Sequence, residues 1–298
     1  MALPPHASRA ERVWHYTYLG ICTAIFVFLI SPILVIIPLS FNAEPYFTFT
    51  QEMLSFDPDG YSMRWYEKIL TFGMSEPDGP RGSSWWADVW SNAQWVRAAK
   101  NSVIIGILAT LLGTVAALGL SRPEMPFRRV IMGLLISPMI VPVIITATGL
   151  FFFYSWTGLA HTYLGIIMAH ATLGIPFVII TVTATLVGFD QSLTRAAANL
   201  GADPVTSFRR VTLPLILPGV ISGGLFAFVA SFDEVVVVLF VASFDQQTIP
   251  RQMWNGIREQ ISPTILSVAT VLVIFSIALL TTLELLRRRN ERLRGLTG

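Results

Sequence analysis

The sequence predicts an all-α polytopic membrane protein with six transmembrane helices, and three observations carry that expectation. Of 298 residues, 53% are hydrophobic and 13% charged, about half the charged fraction of roughly 25% found in soluble domains. Six apolar stretches reach the roughly 20 residues that a spanning helix needs. They mostly lack the polar face that helical periodicity gives a soluble core helix. Lys and Arg are also unevenly placed. With the N-terminus inside, thirteen of the twenty fall on inner segments, as the positive-inside bias requires. Both termini are therefore expected in the cytoplasm.

Residues 1–15 form the first inner segment, and 16–41 the first span. That span contains Pro32 and Pro38 and is not followed by a small-residue cleavage pattern, so it reads as an uncleaved helix rather than a signal peptide. Cys22 lies inside it with no second cysteine to pair with, and serves as a small apolar residue. Residues 42–97 are the one long polar region, an outer loop whose Gly, Pro and Ser content predicts irregular structure. Its tryptophans Trp85, Trp86, Trp90 and Trp95 are expected to rest at the outer interface; a ligand-stacking box is the lesser reading.

Five further spans, at 98–121, 128–154, 160–187, 215–242 and 264–286, make up a helical core over 98–286. Gly106, Ala109, Gly113, Ala116 and Ala117 form a small-residue ridge that lets helices approach closely. Pro138 and Pro142 in the third span, and Pro176 in the fourth, predict kinks covered by neighbouring protein. His161 and His170 have no metal-ligand companions and are assigned structural hydrogen bonds. The basic tail 287–298 begins with Arg287, Arg288 and Arg289, which anchor the last span at the inner leaflet.

Catalytic apparatus is missing from the sequence. There is no phosphate-binding loop, no metalloprotease helix, no cysteine cluster and no nucleophile elbow. "ISGGL" at 221–225 superficially matches a nucleotide-binding signature but sits inside an apolar span, where small-residue packing explains it. The chain is expected to bind no metal or cofactor and to hydrolyse no ATP itself, and nothing points to nucleic acid.

The inner segment at 188–213 is the most informative. A short helix at 191–200 stops at Gly201, the residue type that adopts the left-handed helix-ending conformation at least cost. Asp203 then caps a second helix with Pro204 at its first position. That helix carries Val205, Phe208 and Val211 on one side and Arg209 and Arg210 outward. Pro214 and Pro218 are expected to break the path into the fifth span. The product is a stiff elbow with small and apolar residues exposed, which suggests a docking surface.

This spacing resembles the EAA loop of ABC importer permeases: Ala196, Ala197, Gly201, Val211, Leu213 and Pro214 fall on its motif, while Arg195 stands where the glutamate is usual. "SFDEVVVVLFV" (231–241), "WYEKIL" (65–70) and "GIPFVIITV" (174–182) are similar to the spermidine/putrescine branch, in its second permease subunit, with 72–90 longer than that pattern. The resemblance implies a type I importer permease in a bacterial inner membrane. It further implies a second homologous permease, an ABC ATPase dimer carrying ATP and Mg, and a periplasmic binding protein. Ala196, Ala197, Gly201, Ala202, Asp203, Pro204, Phe208, Leu213 and Pro214 would couple the ATPase to the spans. The same branch serves opines, amino-acid derivatives and other small solutes, so substrate alternatives stay open.

Two other classes compete. A channel or ion-gradient transporter accounts for the spans but not for the elbow. An intramembrane enzyme would need Asp233 and Glu234 to converge on one centre, whereas adjacent helical residues point about 100° apart. Acidic groups inside a span by default mark a function or a specific partner. Asp233, about 15 residues or ~22 Å beyond Pro218, is therefore the expected electrostatic waypoint for a cation, with a structural hydrogen bond as the alternative. Glu234 is expected to pair with another helix or the partner permease. Phe232, Tyr154 and Trp156 lie at similar depth and could offer rings to an ammonium group.

Overall fold

The computed structural model describes residues 8–120, 125–187, 189–190, 192–259 and 262–293. Helix α1 (Arg9–Leu39) starts ahead of the apolar run because Ser8 and Glu11 close a reciprocal cap. Two amides left open at a helix start are satisfied this way. Residues 42–97 are not the irregular loop that their turn residues predict. Thr50 caps α2 (Gln51–Leu54) and Asp57 caps a 3-10 turn (Pro58–Gly60), followed by α3 (Arg64–Thr71) and α4 (Ser83–Asn92).

Helix α5 spans Gln94–Leu120. The expected third span is broken instead into α6 (Arg128–Ile136), a 3-10 turn (Ser137–Met139) and α7 (Val143–Thr157). The two helices are bent by 112°. Pro138 and Pro142 both lack an amide hydrogen, so regular bonding fails twice in five residues. The Ile140 and Val141 amides instead converge on the Ser137 carbonyl. Then follow α8 (Tyr163–Val187), which accommodates Pro176, α9 (Ser192–Asn199) and α10 (Pro204–Ser207). The remaining helices are α11 (Leu213–Phe232), α12 (Val236–Val241), α13 (Ile249–Glu259) and α14 (Thr264–Leu293). Among the described residues four helices are long and apolar enough to cross a membrane: α1, α5, α8 and the run Pro204–Phe232. The bent α6–α7 pair makes a fifth if counted as one span, and α14 contributes a shorter apolar stretch, Thr264–Ala278.

The chain divides into two compact units, one drawn from residues up to Thr71 and from Gly256 onward, the other from Phe72–Asn255. In the first unit α1 and α3 pack against α14. Trp65 Nε1 donates to the Asn42 carbonyl at 2.7 Å, and Ser267 Oγ donates to the Ser40 carbonyl at 3.1 Å. Most of α1 leaves its apolar side chains exposed, as a helix facing lipid or a partner does.

In the second unit α5, α8 and α11 form a three-helix core. Its close packing depends on the small residues of α5, of which Gly106, Ala109, Gly113 and Ala117 are buried. The glycines of "ISGGL" serve the same end: a Cβ on Gly223 would lie 2.8 Å from the Val178 Cα. His170 is fully buried there and its Nδ1 lies 2.8 Å from Ser231 Oγ, tying α8 to the last turn of α11. His161 contributes through its backbone, donating from its amide to the Val241 carbonyl at 2.9 Å with φ of +61°. The tryptophans divide: Trp86 and Trp90 are exposed, but Trp85 and Trp95 are buried. Interface anchoring thus fails for two of the four because α4 and α5 turn those rings into the protein.

Candidate functional site

The elbow forms as its local chemistry dictates. Helix α9 is introduced by Asp190, whose carboxylate accepts from the Ser192 amide at 2.8 Å and from its hydroxyl at 2.7 Å. These two bonds, with a smaller contribution from nearby Arg195, hold the Asp190 carboxyl below its ordinary pKa. Motif spacing does not single out Asp190, although an Asp two residues before a Ser is a recognisable turn signal. The far end of α9 closes on Gly201, which has φ of +83°. The Gly201 amide donates to the Ala198 carbonyl at 2.9 Å and the Ala202 amide to the Ala197 carbonyl at 3.0 Å. Two otherwise orphaned helix-end carbonyls are thereby satisfied. Ala196 is exposed and Ala197 half-buried, so one Ala of the pair faces out while the other's carbonyl anchors the turn.

Asp203 occupies the N-cap position of α10 with extended backbone, and Pro204 stands at the first helical position. The Asp203 side chain makes no geometric capping bond; the Thr206 hydroxyl first, and the Thr206 and Val205 amides to a smaller degree, hold its carboxyl below the ordinary pKa. Leu200, at the tip, is 89% exposed, and Val205 and Leu193 are also exposed. Ala202 and Phe208 are half-buried, and Arg209 and Arg210 point outward.

The expected break at Pro214 and Pro218 does not occur. Helix α10 passes through a π-helical turn, Phe208–Thr212, directly into α11, which contains Pro218 and has Pro214 in its first turn. A proline ring clashes with the carbonyl four residues back and removes one amide donor. The wider π turn immediately ahead gives Pro214 that room, with the Leu213 amide reaching back to Phe208. The result is one helical path of 29 residues, Pro204–Phe232.

That path stops where the sequence predicts an uninterrupted fifth span. Asp233 ends α11, its amide donating to the Val229 carbonyl at 3.0 Å. Glu234 lies in the gap, and its Oε1 accepts from the Val237 amide at 2.8 Å, capping α12. The acidic pair thus occupies a helix break, not adjacent faces of one helix. Glu234 spends its carboxylate within its own segment and not on another helix among the described residues. Asp233 is exposed.

Beyond the break the chain is pinned. Asn101 Nδ2 donates to the Asp245 and Gln247 carbonyls at 2.8 and 2.9 Å, and Ser102 Oγ accepts from the Ile249 amide at 2.8 Å. Of the aromatic candidates, the Phe232 ring sits 5.6 Å from Phe228. Tyr154 is only 4% exposed and belongs to the apolar cluster with Val237 and Val241 of α12. Trp156, by contrast, is 84% exposed. The arrangement gathers Asp233, Glu234 and Phe232 at one break, places Tyr154 behind α12, and leaves Trp156 on the outer surface of α7.

Residues 109–294 match the family model described as the binding-protein-dependent transport system inner membrane component. The chain is similar to the spermidine/putrescine transport system permease protein PotC of Haemophilus influenzae, 29% identical over 90% of this chain and 95% of that protein. PotC of Escherichia coli is 27% identical, covering 94% of this chain and 96% of its own length. The putrescine transport system permease protein PotI of Escherichia coli is 29% identical over 83% and 82%. Among solved structures, a bacterial ABC transporter involved in the import of the acidic polysaccharide alginate superposes with a TM-score of 0.68 at 15% identity. It covers 94% of this chain and 99% of its own, and shares the fold.

Proposed function

This chain belongs to the binding-protein-dependent transport system inner membrane component family and is a permease subunit of an ABC importer, and on that premise we propose that it carries polyamine-class cations inward. In this reading it pairs with a second homologous permease, an ABC ATPase dimer that holds ATP and Mg, and a periplasmic binding protein that delivers the substrate. Both termini lie in the cytoplasm. The observation that carries the mechanism is the unbroken helical path from the exposed elbow to the acidic break.

Closure of the ATPase pair pushes on the apolar tip formed by Leu200, Val205 and the Ala196–Ala202 turn. A tight left-handed turn at Gly201 transmits that push, because it leaves α9 and α10 no slack between them. Helix α11 then moves as a rod, and the break at Asp233 takes up the motion because the chain beyond it is bonded to α5. Asp233, exposed at that break, offers a fixed negative charge to a passing ammonium group. Glu234 shapes the break by capping α12. The cation preference draws on the substrates for which PotC and PotI are named and on this acidic pair.

A second reading keeps the same machine and exchanges the cargo for opines or amino-acid derivatives. An ion-gradient transporter, the third, leaves the elbow without a use. Uptake into proteoliposomes holding the full complex, supplied with the binding protein and labelled spermidine, putrescine or an opine, separates them. Uptake should need internal ATP, persist when ionophores collapse ion gradients, and favour the polyamines. Preference for an uncharged or zwitterionic solute would remove the cation assignment, and uptake driven by an ion gradient without ATP would remove the mechanism.

A further inference from the structure

A cavity of about 520 Å³ opens at the start of α6, lined by Phe127, Arg128, Arg129, Val130 and Met132. The substrate path and the elbow make no use of it. Two arginines line it, Arg128 half-buried and Arg129 exposed, and the Nε of Arg128 is buried with no hydrogen-bond partner among the described residues. A donor held out of water without an acceptor is costly, so an acceptor that reaches the Arg128 Nε is favoured there. The helices that α6 packs on, α5 and α8, carry no acidic residue, so neither supplies one. Phe127 precedes α6 in the left-handed conformation and gives the helix no side-chain cap.

An apolar track continues from the cavity. Val130 and Leu134, four residues apart on one face of α6, are 62% and 67% exposed, and Phe127, 81% exposed, stands just ahead of the helix. A charged pocket above an exposed apolar stripe has the shape of an amphiphile. Basic pockets beside spanning helices on the cytoplasmic side suit anionic headgroups, and the guanidinium fork matches phosphate geometry. We propose that the Arg128–Arg129 cavity binds the phosphate headgroup of an anionic phospholipid of the inner leaflet, with one acyl chain along Phe127, Val130 and Leu134. This site depends on α6 starting at the cytoplasmic face and not on what the importer carries.

The test is lipid retention by the purified complex in nanodiscs of mixed phosphatidylglycerol and phosphatidylcholine, read by native mass spectrometry. Wild type should keep phosphatidylglycerol selectively. Arg128→Gln with Arg129→Gln should lower that retention by roughly fivefold for each arginine, about 25-fold together. Phe127→Gln, which keeps both charges, should weaken it as well. If the double variant does not insert, the wild-type measurement still decides: equal retention of the two lipids overturns the proposal. Displacement of the lipid by excess inorganic phosphate would show a free-anion site and overturn the lipid assignment. Selective retention by the isolated subunit that is lost when the ATPase subunits bind would give the face to a protein partner and overturn it equally.

Discussion

Replacing Gly201 by Val isolates the mechanical step from everything else the permease does. The φ of +83° lies in the left-handed region, where any Cβ crowds the following carbonyl. That costs about 1–2 kcal/mol for an ordinary residue and up to about 3 kcal/mol for a β-branched one. No atom lies within 4 Å of the Cβ that the substitution adds. The whole penalty is therefore backbone strain, with no packing change to confuse it. Taking about 2 kcal/mol, the closed turn with its two helix-ending bonds becomes roughly thirtyfold less populated against opened alternatives. Asn tolerates this conformation and Ala less so. Transport per ATP hydrolysed should thus fall in the order Gly, Asn, Ala, Val, while the spans insert normally. The assay is substrate-stimulated ATP hydrolysis and uptake, measured together in proteoliposomes containing the complete importer. A Val variant that matches wild type in both would refute the role given to the turn, and a Val variant no worse than Ala would refute the strain argument.

Three other perturbations probe separate parts of the structure. Asp233→Asn keeps the shape of the helix break and removes its exposed charge, so uptake of cations should slow while assembly and basal ATP hydrolysis persist; an unchanged rate and unchanged cation preference would end that role. Gly223→Val sets a Cβ 2.8 Å from the Val178 Cα, and overpacking of this kind costs about 1–3 kcal/mol, which should appear as a lowered melting temperature and poorer recovery on size exclusion. Substituting Gln for Arg287, Arg288 and Arg289 should reduce membrane insertion or abundance more than activity per assembled complex, as anchoring at an anionic leaflet requires, with quantitative blotting against purified-complex activity as the comparison.

The sequence is most legible where structure follows from local chemistry. The end of α9 can be anticipated because a left-handed turn after an alanine-rich helix asks for glycine, and Gly201 supplies it. The small-residue faces of α5 and α11 can likewise be read, since their spacing serves close approach in any helical partner. The breaks are harder. Pro138 and Pro142 announce a kink, but its angle depends on how α6 and α7 pack, which one chain's hydropathy does not encode. At Asp233 the Val-rich stretch on the far side keeps the run apolar, so the interruption is hidden; Glu234, three residues ahead of Val237, is a capping signal that outweighs that run. Pro214 shows the reverse, since a proline rule predicts a break there and a π turn supplies the space instead. Ser8 with Glu11, and Thr50 and Asp57, are cap signals that the apolar run and the turn residues around them obscure.

The most direct test of coupling through a rigid α11 is a distance. With Cys22 replaced by Ser, spin labels at Val205→Cys, on the exposed side of α10, and Val229→Cys, on the exposed side of α11, bracket the π turn. At 1.5 Å per residue they should lie about 36 Å apart. Pulsed spin-resonance measurements on the complete importer, with and without a non-hydrolysable ATP analogue, report whether elbow and span travel together. This distance should stay constant between the two states while the distance from Val229→Cys to a label beyond the break, at Phe244→Cys, changes. A change in the first distance with none in the second would place the hinge at the π turn and contradict a rod-like α11.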